Sequence, residues 1–126
     1  MPIICPNLGR CFDAAREPAK VAIIDTADWE HPLESTHAEL DAECDAVARG
    51  LVAQGLRRGG RVGMLSLNRF ELLGVYFGSV RAGMVSVPVS FKLPRETIDH
   101  IVQDADLRAV FCDQERAGGK SYGVLR

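Results

Sequence analysis

The chain has 126 residues, 47% of them hydrophobic and 25% charged, with a formal net charge of −2. That is the balance of a globular protein long enough to bury a core, and it excludes intrinsic disorder. The near-neutral charge, with no broad basic face in the sequence, excludes an electrostatic hold on nucleic acid or anionic lipid. No apolar run approaches the ~20 residues that span a bilayer.

In chain order, the start is extended, too short in its apolar part and too poor in basic residues for a signal peptide. Asn7 is placed to cap a helix in which Leu8, Cys11, Phe12 and Ala15 recur at helical spacing until Pro18 ends it, so residues 1–19 are read as an N-terminal helical segment. Lys20–Thr26 is a strand by its β-branched content, and Leu33–Ser35 is its hairpin partner across a turn that carries Trp29. Thr36-His37-Ala38-Glu39 has the capping-box spacing, in which the threonine hydroxyl takes the Glu39 amide proton and the glutamate reaches back. The helix that follows runs to Gln54. Leu40, Cys44, Val47, Ala48, Leu51 and Val52 form its apolar stripe, and Gly55 is its left-handed terminator. Residues 20–56 are thus a hairpin plus a capped helix.

Arg57–Gly60 turns into the central stretch, residues 61–113. Three largely apolar runs, Val62–Leu67, Met84–Val89 and Leu107–Cys112, alternate with two helical patterns. The spacing is that of a βαβαβ unit, hence a parallel sheet with right-handed crossovers. Asn68 is positioned to cap the first of these helices, Arg69–Ala82, with Glu71 three residues on. That helix is apolar on most sides, which predicts burial between layers. Gly74 and Gly78, four apart, allow a close neighbour. Pro88 belongs at a strand end or edge, and Pro94 in the first turn of the last helix. Residues 114–126 lose all periodicity and read as a loose tail. The whole is one incomplete α/β domain.

Chemistry is sparse. Cys5, Cys11, Cys44 and Cys112 form no C-x-x-C pair, which speaks for a reduced, cytoplasmic compartment. His31, His37 and His100 are scattered without ligand spacing. A doubly wound sheet takes ligands beyond the carboxyl ends of its strands, here Ser66-Leu67-Asn68, Val89-Ser90-Phe91 and Cys112-Asp113. None carries a glycine-rich phosphate turn. Ser66, Ser86 and Ser90 sit in no nucleophile-elbow context, and Gly119-Lys120 has no strand–loop–helix frame. The cluster Arg57, Arg58 and Arg61 reads as a solvated turn. No catalytic, cofactor-binding or metal residue is assigned.

Three runs carry a family resemblance. THAEL continues through VARGLVAQGLRRGGRVGMLSLNRFE; FGSVRAGMVSVPVS and LPRETIDHIVQDAD follow. Together, over Lys20 to about Asp113, they resemble the N-terminal portion of the AMP-dependent synthetase and ligase family, which includes acyl-CoA synthetases and other adenylate-forming enzymes. Gly60 stands where that family usually has Asp, and Ser90 where Asn is common. The resemblance implies a parent enzyme that uses ATP and Mg²⁺ to activate a carboxylate as an acyl-adenylate and passes the acyl group to a thiol, commonly that of coenzyme A. It also implies that the phosphate loop, the adenine and ribose contacts and the catalytic lysine lie downstream. The chain alone is therefore expected to be inactive and to bind none of these cofactors. It implies, further, two sheets that share buried helices, and apolar faces that are covered by the remainder of the synthetase or by self-association into an oligomer. The alternative is a stand-alone flavodoxin-like module serving as a binding or regulatory subunit. The two readings differ on whether the apolar helix is fully covered.

Overall fold

The computed structural model describes residues 6–12 and 14–113. After a single 3-10 turn at Leu8–Arg10 come β1 (Val21–Asp25), β2 (Leu33–Thr36), α1 (His37–Ala53), β3 (Arg61–Leu65), α2 (Phe70–Arg81), β4 (Val85–Pro88), α3 (Arg95–Asp104) and β5 (Leu107–Cys112). β1 and β2 pair antiparallel as a two-stranded sheet; β4, β3 and β5 form a parallel sheet in that order, with β3 central.

The alternation of β3 explains the layering. Val62 packs with Leu51 and Met84 on the side of α1 and α2, against Ala109 and Phe111. Leu65 packs with Val89 and Ile98 on the side of α3, against Val87, Val110 and Cys112. A parallel strand covered on both faces reads as a continuous apolar run, as this one does. Pro88 ends β4, an outer strand of the sheet, where its missing amide proton breaks no ladder on its inner side.

The capping box forms as its spacing requires. Glu39 N donates to Thr36 Oγ1 at 3.2 Å and Thr36 N donates to Glu39 Oε2 at 2.7 Å. Two helices end alike. Gly55 and Gly83 take φ of +85° and +79°, and the amides of Leu56 and Met84 reach back to the carbonyls of Leu51 and Ser79. This is the Schellman closure, whose left-handed position favours a residue without a Cβ.

α1 and α2 pack along one another through the two glycines of α2. A Cβ at Gly78 would lie 2.7 Å from both Cys44 O and Val47 Cβ, so the helices touch backbone to side chain with nothing between them. Ser79, fully buried, is satisfied by donating its hydroxyl to Val75 O at 2.6 Å.

Four expectations change. The helix from Leu8 to Pro18 shrinks to the 3-10 turn, capped by Asn7, whose Oδ1 accepts from Gly9 N at 2.8 Å. This segment exchanges helical bonds for tertiary ones: Asn7 Nδ2 donates to Arg81 O, and Arg81 Nε donates to Gly9 O. Asn68 does not cap α2. Arg69 flanks that helix without a side-chain cap bond, and Asp25 of β1 takes the Phe70 amide proton at 3.4 Å. Val52 leaves the α1 stripe, 58% exposed, because the stripe drifts round the helix beyond its contact with α2. Pro94 sits one residue earlier than expected, extended at the helix flank rather than inside the first turn. α2 does lie between layers, α1 and the 3-10 turn on one side and the parallel sheet on the other. Its remaining apolar side, with Leu73 37% exposed, is open.

Candidate functional site

The carboxyl ends of β3 and β4 and the amino end of α2 converge on one cleft, whose far wall is the β1–β2 hairpin. Its inner part, about 420 Å³, lies between Ile23–Ala27 and Asn68–Leu73. A wider part of about 900 Å³ continues past Leu33, Ser35 and Leu67 to Ser90–Lys92. The two share Asp25, Ala27, Asn68, Arg69 and Phe70. The cleft is therefore where strand order alone places a ligand in an open α/β sheet.

Beside the cleft, the polar groups at the ends of β3 and β5 are tied to one another and to Arg69 at its edge. Ser66 Oγ donates to Asp113 Oδ1 at 2.8 Å, and Leu67 N to Asp113 Oδ2 at 2.8 Å. Arg69 Nη1 donates to Asp113 Oδ1 at 3.2 Å, and its Nε pairs with Glu71 at 3.1 Å. Burial alone would raise the Asp113 carboxyl. The Leu67 amide, the Ser66 hydroxyl and the Arg69 guanidinium outweigh it and hold the group below the ordinary aspartate value. The bond to Asp113, with the nearby Glu71 carboxylate, raises Arg69 in turn. A carboxylate with a depressed folded value stabilises the fold above its unfolded value and loses that contribution as pH falls through the folded one. Asp113→Asn is therefore expected to cost about 1–2 kcal/mol at neutral pH. The gap to the native chain should close on acidification past about pH 3.9, the unperturbed aspartate value. Urea unfolding at several pH values measures both, and a pH-independent difference would refute the assignment.

Two amides at the approach to α2 are thus taken. Leu67 N is held by Asp113 and Phe70 N by Asp25. Two carboxylates in that position repel a phosphate rather than receive it. No group of three His, Cys, Asp or Glu side chains able to hold a metal ion exists among the described residues. The approach to α2 therefore does not fit a phosphate group.

The other candidate residues do not come together. Ser86 donates to Tyr76 O, and Ser90 Oγ accepts from Lys92 N in a local turn. Asn68 lines the cleft, exposed. His31 pairs with Asp28 at 3.1 Å on the hairpin turn, His37 packs against Phe12, and His100 is exposed on α3. Trp29 is 81% exposed and covers nothing. Burial pushes the Cys44 thiol up to about 11 and raises Cys112, so neither is a reactive thiolate. Arg61 and Arg108 are tied to Asp106 at the opposite end of the sheet. Cys5, Gly119 and Lys120 lie outside the described residues.

Sequence reasoning missed two groups. Asp25 caps α2 from another sheet. Arg81 makes a buried knot: its guanidinium reaches Gly9 O, Asp41 O and Asp45 Oδ1, pairs with Asp41 Oδ1 at 2.9 Å, and stacks 5.6 Å from the Phe12 ring centre.

The sequence pattern of the AMP-binding enzymes matches residues 12–122, nearly the whole chain. The chain belongs to the AMP-binding enzyme family. Among AMP-binding enzymes and their relatives, the fatty acid–[acyl-carrier-protein] ligase ScoC of Streptomyces coeruleorubidus is 31% identical over 104 residues, covering 82% of this chain and 19% of its own. The mitochondrial medium-chain acyl-CoA ligase ACSF2 of Macaca fascicularis is 24% identical over 126 residues, covering 98% of this chain and 20% of its own. The inhibitor-bound N-terminal domain of FACL13 from Mycobacterium tuberculosis superposes with a TM-score of 0.72 at 25% identity, over 79% of this chain and 24% of that one. The fatty acid AMP ligase from Legionella pneumophila gives the same TM-score, 0.72, at 25% identity, over 79% of this chain and 18% of its own. The chain thus spans about a fifth of the length of the curated relatives it matches. Its α/β fold, a hairpin and capped helix followed by a parallel βαβαβ unit, is that of the first part of an adenylate-forming ligase domain. No helix among the described residues is long and apolar enough to cross a membrane.

Proposed function

We propose that this chain is the opening segment of an ATP-dependent, AMP-forming ligase that activates a carboxylate as its acyl-adenylate and transfers the acyl group to a thiol. The observation that carries this is the joint match of order, spacing and three-dimensional arrangement over most of the chain to AMP-binding enzymes. The thiol acceptor follows the relatives, whose names give an acyl-carrier protein or coenzyme A as the other partner. In this reading the segment supplies scaffold. It holds the ends of β3 and β5 together through Asp113 and leaves ATP, Mg²⁺ and the acid to residues beyond it.

The 126 residues alone are expected to give no saturable heat when titrated with ATP and Mg²⁺, and no carboxylate-dependent exchange of pyrophosphate into ATP. Exchange is expected when the chain replaces the matching segment of the Legionella ligase. Saturable ATP binding by the chain alone would favour the stand-alone module instead.

A further inference from the structure

Four arginines stand along the amino edge of the parallel sheet, the end away from the cleft. Arg61 opens β3 and Arg108 is the second residue of β5; both reach Asp106 Oδ2, at 2.7 and 3.0 Å. Arg57 and Arg58 belong to the turn into β3. Gly60 N donates to Arg57 O and Val85 N to Gly60 O, and a Cβ at Gly83 would lie 3.2 Å from Arg58 Cγ, so this turn abuts the start of β4. The row therefore runs from β4 through β3 to β5, about 10 Å at the spacing of neighbouring strands. Arg57 and Arg58 are exposed and form no ion pair among the described residues. Two exposed valines lie beside them, Val52 at 58% in the last turn of α1 and Val85 at 49% at the start of β4. The opposite charge sits at the other end of the molecule. No lysine or arginine lies between Lys20 and Arg49. β1 ends at the cleft, where Asp25 accepts the Phe70 amide proton, so the hairpin turn stands at the carboxyl edge of the parallel sheet. On it and just after it Asp28, Glu30 and Glu34 are exposed, with Trp29 81% exposed among them. Trp29 lines neither part of the cleft.

We infer that the acidic hairpin turn of one copy of this chain docks on the arginine row of a second copy, with Trp29 set against Arg57, Arg58 and the valines beside them. The two surfaces match in kind. Each is charged at its rim and carries an exposed apolar group, an indole on one and two valines on the other. Opposite rims steer and register the contact. An indole face also accepts a guanidinium by cation–π attraction. A nucleic acid or an anionic membrane is the poorer occupant. The row is short, its valines meet nothing on a line of phosphates, and a chain of net charge −2 repels a long polyanion. Because the two surfaces lie at opposite ends of the molecule, the contact is heterologous and adds copies in series instead of closing a two-fold dimer. It involves neither the cleft nor the function proposed above.

Trp29 is the one tryptophan of the sequence, so its fluorescence reports the contact directly. At low ionic strength the mass of the 126-residue chain in sedimentation is expected to rise with concentration while Trp29 emission shifts to the blue. In about 1 M salt, where charges are screened beyond about 3 Å, both should return to monomer values. Arg57→Glu with Arg58→Glu in one variant, and Glu30→Lys with Glu34→Lys in another, should each weaken association at least about tenfold. Mixing the two variants sets an acidic edge against a basic hairpin and a basic edge against an acidic hairpin, so the mixture should associate as the native chain does. All four positions are exposed, and the unfolding midpoints should not move. If a variant unfolds, the salt series on the native chain and Trp29→Ala decide. A monomeric mass at every concentration in low salt would overturn the inference. So would two folded variants that stay monomeric when mixed. Association that persists in high salt with unshifted Trp29 emission would also overturn it, because the second copy would then sit in the apolar cleft.

Discussion

Replacing Arg81 by alanine is expected to lower the stability of this chain by about 3 kcal/mol, measured as a shift of the urea midpoint at unchanged slope. The size follows from where the charge is. The Arg81 side chain is 4% exposed, whereas Asp41 and Asp45 are each 39% exposed. With the arginine gone, both carboxylates regain water, so no stranded buried charge adds to the loss. What disappears is the set of bonds to Gly9 O, Asp41 O and Asp45 Oδ1, together with the Phe12 stack. The carbonyls lose their partner inside the packing of the 3-10 turn, α1 and α2. Arg81→Lys keeps the charge but cannot fork to these acceptors, and should recover no more than about half of the loss. A pH series gives an independent check. The bond from Arg81 holds the Asp45 carboxyl below its ordinary value. A depressed carboxylate stabilises above its unfolded value and ceases to do so as pH falls through the folded one. Acid should therefore narrow the gap between the native chain and Arg81→Ala. An Arg81→Ala chain as stable as the native one would refute the knot.

The second large effect concerns Gly78. A methyl group there meets Cys44 O and Val47 Cβ at 2.7 Å, one of them backbone and the other a β-branched side chain with one helical rotamer. Neither yields without moving α1. Gly78→Val is expected to cost about 3 kcal/mol, at the upper end for overpacking. Gly74→Ala is the informative contrast. Its new methyl group meets only the Glu43 side chain, near its root, and no backbone of α1, so room comes from turning one side chain rather than from moving the helix. The gain in helix propensity, about 1 kcal/mol, offsets part of that displacement and leaves a loss smaller than that of Gly78→Val. Thermal midpoints of the two variants measure the difference, and equal losses would show that the helices do not meet where the structure has them.

The parts of this fold legible from sequence are those whose cause is local. The Thr36–Glu39 box, the left-handed Gly55 and the apolar runs of β3 and β5 each act within a few residues of themselves. Strand order, once read, also located the cleft. What escaped was long-range. Arg81, in the last turn of α2, reads as an ordinary cation at a helix C-terminus. Its partners lie 36, 40 and 72 residues away. Asn68 satisfies the local rule for a cap, yet a carboxylate 45 residues distant takes the Phe70 amide instead. The N-terminal periodicity was real but weaker than the pull of Arg81 and Asn7 toward α2. The site followed the same division. Its place follows from topology, while the self-saturation of its polar groups depends on Asp113 meeting Leu67 across 46 residues.

The central position of β3 also bears on how the chain is made. β3 leaves the ribosome before either strand that pairs with it, and both of its edges stay open until β4 and then β5 have followed. During that interval its apolar run can pair with any strand it meets, including the β3 of another nascent chain. The α1–α2 contact, by contrast, is complete before α3 begins. Assembly of the helix pair ahead of the sheet covers one face of β3 early, while closure of the sheet waits for the last strand to emerge.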